Sequence, residues 1–134
     1  MNSMDSLGKL VLRLTVGGLL LMHGVHKLLD GIDPIKHMLA AHGLPDALGY
    51  GVYLGEVVGP ILVILGLFSR VGGLLIVADL IVAVVLARMA DLLVITSAGS
   101  YALETEVFLL FGGVAVILLG AGSLSLGGGN GRWN

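Results

Sequence analysis

The stretch LGKLVLRLTVGGLLLMHGVHKLL, residues 7–29, decides the fold class. It is apolar over about the 20 residues a bilayer-crossing helix needs. Yet it carries Arg13, His23, His26 and Lys27 at depths where lipid would sit. A charge at the centre of a membrane helix costs roughly 2.5–3.5 kcal/mol on insertion scales, so such residues face one another or a watery cavity. Three further stretches, residues 48–68, 71–93 and 101–121, have the same character. They carry Glu56, then Asp79 and Arg88, then Glu106.

Composition agrees. Of 134 residues, 57% are hydrophobic and 12% are charged, against about 25% charged in soluble domains. The expected fold is an all-α integral membrane protein: an antiparallel four-helix bundle in one domain, residues 1–126. A flexible Gly-rich tail, residues 127–134, follows it. A net charge of −2 without a basic face excludes nucleic acid as a partner. The absence of Cys removes disulfides, thiolate metal sites and iron–sulfur clusters. The first apolar run has no small-residue cleavage site and reads as a retained helix.

The first loop has structure of its own. Asp33-Pro34 is a helix-start signal and Gly43 with Pro45 a stop. Between them Ile35, Met38 and Leu39 share one face, opposite Lys36 and His37, as in a short interfacial helix. Lys9, Arg70 and Arg132 fall on the side of the termini, and Lys36 falls with Asp30, Asp33 and Asp46 on the loop side. That bias favours cytoplasmic termini in a multi-pass protein.

Depth and angle sort the charges. At about 1.5 Å per residue, His23, Lys27, Arg88 and Glu106 fall toward the loop side, and Glu56 lies nearer the middle. Arg13 and Asp79 fall together toward the terminal side. At about 100° per residue, Arg13, Gly17, Leu20, Gly24 and Lys27 form one stripe, with His23 beside it and His26 off it. Hence His23, Lys27, Glu56 and Glu106 are the candidate ligand-binding group. Arg13 with Asp79 is a candidate structural ion pair. Arg88, three residues before Asp91, reads as an interfacial side chain.

Gly51, Gly55 and Gly59 recur at four-residue spacing and offer a face for close helix approach, a second copy of the chain included. Pro60 lacks an N–H, which frees the carbonyl of Glu56 and predicts a kink beside that carboxylate. All four His lie between positions 23 and 42, so no haem can be held by histidines of two different spans. His23 and His26 stand one turn apart, but the histidines do not converge, and no metal is expected.

The ordered set of short motifs resembles the DoxX family of small bacterial membrane proteins. It comprises Leu12-Arg13-Leu14, Met22-His23-Gly24 with Lys27, Gly43-Leu44-Pro45, Gly55-Glu56-Val57, Gly66-Leu67-Phe68-Ser69-Arg70 and Glu106. Gly120-Ala121-Gly122 with Leu124-Ser125-Leu126 closes it. Asp79 and Arg88 stand outside this pattern. The resemblance implies a four-helix bundle in the bacterial inner membrane. It also implies work beside redox partners, as in thiosulfate:quinone oxidoreductase and in complexes tied to sulfur and oxidative stress. The expectation is a quinone-interacting or accessory subunit with no covalently bound cofactor and a redox protein as partner. The alternatives are a structural or assembly subunit and a small lipid- or solute-binding carrier.

Overall fold

The computed structural model describes residues 2–134. Helix α1 runs Ser3–Asp30. It begins earlier than the apolar run because the Asn2 side chain accepts a hydrogen bond from the Asp5 amide at 2.7 Å. Helix α2, Asp33–Ala41, carries its proline in the first turn as expected and ends before Gly43 at φ +71°. A 3-10 turn, Asp46–Gly51, and a π turn, Leu54–Val58, lead into α3, Gly59–Leu65. The π turn ends two residues before Pro60. With no proline N–H to meet the Glu56 carbonyl, the turn widens.

Helix α4, Ser69–Ala83, continues through a π turn, Val84–Arg88, and a 3-10 turn, Met89–Asp91. A short hairpin with the bridge Ile95–Tyr101 precedes α5, Glu104–Leu119. Among the described residues there is no strand beyond that bridge.

Among the described residues, three segments are long and apolar enough to cross a membrane: Ser3–Asp30, Asp46–Leu65 and Ser69–Asp91. The fourth expected span is shorter than its apolar run. Helix α5 has 16 residues and stops at Gly120, φ +77°. The helices pack α1 on α3 and α5, and α4 on α3 and α5. The core is Val16, Leu20, Val63, Ile76, Leu80, Leu109 and Val116. Large apolar side chains also cover the outside, among them Met22, Leu29, Ile61, Leu74, Phe108 and Leu118. A surface of that kind belongs in lipid.

Small residues set the helix spacing from within. Gly59 and Gly72 face each other: a methyl on either would come within about van der Waals clash of the other's carbonyl oxygen, at 3.0 and 2.8 Å. Gly55 and Gly59 are therefore buried against α4 inside one chain. This corrects the expectation of an oligomer face along Gly51, Gly55 and Gly59, of which only Gly51 is exposed.

Arg13 is 1% exposed. Its guanidinium donates to four backbone carbonyls: Val63 at 2.9 Å and Ile64 at 3.0 Å in the last turn of α3, Ala121 at 2.9 Å and Leu124 at 2.8 Å beyond α5. The last carbonyls of a helix have no partner within it and carry its negative dipole end, which suits a cation. The expected Arg13–Asp79 ion pair does not form. Asp79 lies against Gly55, while the Arg13 guanidinium is taken up by backbone carbonyls.

The tail is pinned where the sequence predicts flexibility. Leu126 and Gly127 amides donate to the Leu65 and Gly66 carbonyls at 3.0 Å each. The Asn134 side chain accepts from the Ser69 amide at 3.0 Å, and the Trp133 carbonyl accepts from the Arg70 amide at 3.0 Å, so the tail caps α4.

Arg13→Met should lower the unfolding free energy by about 3 kcal/mol or more, because several buried carbonyls lose their donor at once. Arg13→Lys should recover only part of that, since an ammonium cannot reproduce the planar fork. Denaturant titration in detergent micelles checks both; a loss under about 1 kcal/mol for the Met variant would show that the guanidinium does not hold these segments.

A second test concerns α1. A methyl on Gly24 would land 2.0 Å from the Glu56 carbonyl oxygen, whereas one on Gly18 meets nothing within 4 Å. Gly24→Ala should destabilise by about 1–3 kcal/mol, and Gly18→Ala should be neutral or stabilising by up to about 1 kcal/mol.

Candidate functional site

Lys27 lies in the last turn of α1, where the helix dipole favours a cation. The Tyr53 hydroxyl donates to its carbonyl at 3.1 Å and ties the end of α1 to the second span. The Lys27 Nζ donates to Glu56 Oε1 at 2.5 Å. Glu56 sits in the π turn with its side chain 5% exposed, against 27% for Lys27. The two meet because Gly24, one turn earlier on the same stripe, lets α1 rest on the Glu56 backbone.

Asp79 completes the group from α4. A methyl on Gly55 would lie 2.1 Å from the Asp79 Cβ, so the missing side chain at Gly55 is what admits Asp79. Its charged neighbours are Glu56 and Lys27. The Asp79 Oδ2 is buried and has no hydrogen-bond donor.

These three side chains share a cavity of about 740 Å³. Its walls are otherwise apolar: Ile35, Met38 and Leu39 of α2, Leu48 of the 3-10 turn, and Leu75 and Val82 of α4. Volume and lining fit the usual range for a small-molecule site, about 300–1,000 Å³ with few polar groups. Beside it, the Lys36 Nζ donates to the Tyr50 hydroxyl at 3.0 Å and lies 4.9 Å from the ring centroid. That hydrogen bond holds the exposed Lys36 ammonium above its ordinary pKa. The tie therefore persists through neutral pH and is lost only as pH rises through the raised value.

The candidate ligand-binding group divides in the structure. Lys27 and Glu56 come together. His23 is exposed on the outer face of α1, a single position off the buried stripe. Glu106 belongs elsewhere: its Oε1 accepts from Arg88 Nη1 at 2.7 Å. Arg88 also donates to Asp91 Oδ2 at 2.8 Å and to the Ala102 carbonyl at 3.2 Å. Arg88 thus clamps the hairpin onto α5 and is more than an interfacial side chain. His26 points outward and pairs with Asp30 at 3.1 Å.

Asp79 is the site residue that depth reckoning misplaced. The usable signal was the turn between α3 and α4: Glu56 and Asp79 stand nearly the same number of residues from it, on helices that pack together.

A family model described as DoxX matches residues 8–89. That segment contains Arg13, Lys27, Glu56 and Asp79 and stops before Glu106. A Bacillus subtilis (strain 168) protein named "Putative oxidoreductase CatD" is 30% identical over 89 residues, which cover 66% of this chain and 66% of that relative. No solved structure gives a significant match. With the family model covering more than half of its length and all three cavity-floor residues inside the match, this membrane protein belongs to the DoxX family.

Proposed function

We propose that the chain is the quinone-binding, accessory membrane subunit of a redox complex in a bacterial inner membrane. In this reading α1, the second span, α4 and α5 cross the bilayer antiparallel, with cytoplasmic termini and α2 at the opposite interface. The observation that carries it is the cavity: one end ionisable at Lys27, Glu56 and Asp79, the rest apolar. A quinone has the same division, a head with two carbonyl acceptors and an apolar tail.

The residues fit such a head. An ammonium has three N–H groups, and Glu56 engages one. Lys27 can therefore hold a head-group carbonyl while Glu56 fixes its position. Leu48, Leu75 and Val82 flank the path for a tail. A bound quinone would supply two-electron redox chemistry; the chain supplies position, dryness and protons. The electron donor is assigned to a partner protein, because the chain has no thiolate and its histidines lie between positions 23 and 42. The relative's printed name, an oxidoreductase, supports a redox setting.

A purely structural reading is favoured only for Arg13 and Arg88. Arg13 engages backbone, and Arg88 engages Asp91, Glu106 and backbone, without reaching the cavity.

Decylubiquinone binding to the full chain in lipid nanodiscs tests the proposal. Glu56→Gln and Lys27→Met should each weaken binding about tenfold or more, the worth of one charge-assisted hydrogen bond. Glu106→Gln should leave it within about twofold, since Glu106 is outside the cavity. Equal affinity in all four proteins would refute the assignment.

A further inference from the structure

The floor of the cavity holds two carboxyl groups and one ammonium. Lys27 Nζ is 2.5 Å from Glu56 Oε1, so its short bond goes to Glu56 and not to Asp79. Asp79 Oδ2 is left buried without a donor. The other elements around it bring none. Helix α2 and the 3-10 turn present Ile35, Met38, Leu39 and Leu48, His23 faces outward, and Glu106 is held by Arg88. Glu56 is the neighbour of Asp79 on the cavity floor, because Asp79 packs against Gly55, the residue before Glu56. Two carboxylates offer each other only acceptors, so a hydrogen bond between these neighbours requires a proton. A proton also restores neutrality to the trio, which would otherwise carry an uncompensated negative charge away from water.

We infer that Glu56 and Asp79 share one exchangeable proton at the cavity floor, and that this proton faces the head of the ligand that the cavity takes. The second half rests on the quinone reading; the first does not. Gly55 is part of the device, since any side chain there would drive Asp79 off the π turn. Asp79 is thereby a proton-holding residue of the site, although it lies outside the motifs that mark the family resemblance.

Infrared spectroscopy of the full chain in nanodiscs, with hydrogen–deuterium exchange, tests the first half without a ligand. The wild-type protein should show a protonated-carboxyl band at neutral pH that shifts in deuterated water. Asp79→Asn and Glu56→Gln should each abolish it, because the remaining carboxylate then pairs with Lys27 alone. Lys27→Met should about double it, because neutrality then calls for both carboxyls to be protonated. Glu106→Gln should leave it intact. Absence of the band in the wild type, or its survival in Asp79→Asn, would overturn the inference.

Adding decylubiquinone tests the second half. The band should shift on binding. Binding without a shift would overturn the orientation toward the ligand, and absence of binding would remove the quinone reading while leaving the shared proton in place.

Discussion

The bonds from Arg13 to four backbone carbonyls are the constraint on which the rest of the arrangement hangs. One guanidinium on α1 collects the open end of α3 and the segment after α5. A carboxylate partner would have cost the desolvation of two charges. Carbonyls at a helix end cost less, because their lone pairs are unsatisfied wherever the helix stops. With α3 terminated at a fixed place on α1, the turn of Gly66 to Phe68 and the start of α4 follow. The heights of Glu56 and Asp79 follow in turn, counted back from that junction on either side.

The charged side chains of the spans therefore have two kinds of partner. Arg13 is satisfied by main chain alone, and Arg88 by main chain and two carboxylates. Both groups close ends of the molecule. Lys27, Glu56 and Asp79 differ: they lie at an internal wall, include an acceptor without a donor, and border empty volume. Structural ion pairs rarely leave a buried acceptor unmet, since doing so costs about 1–3 kcal/mol. This asymmetry separates site from scaffold in a protein whose four apolar segments look alike in composition.

Much of this was legible in the residues. The stripe Arg13, Gly17, Leu20, Gly24 is buried as periodicity predicts. Pro60 announced a disturbance at Glu56, and the disturbance is the π turn. What misled was measuring depth span by span, as if each helix began at a bilayer face. That placed Asp79 beside Arg13, though the short α3–α4 connection sets the register. His23 shows the limit of angular reckoning, because a single position off the stripe suffices to turn it outward. The tail misled for another reason. Its glycines carry no fold signal, and its anchors are distant in sequence: the Asn134 side chain meets its partner, the Ser69 amide, 65 residues away. No local pattern can encode such a pairing.

That distant cap also gives assembly an order in time. Helices α1, α3 and α4 exist as chain before Ala121, Leu124 and Asn134 are made. At roughly 5–20 residues per second, the ribosome needs several seconds to travel from Ser69 to Asn134. During that interval Arg13 has only the two α3 carbonyls to bond, and the first amides of α4 stand uncapped. The contacts that Ala121, Leu124 and Asn134 make at the terminal face can therefore close only after the segments that wall the cavity, α1 to α4, have been synthesised.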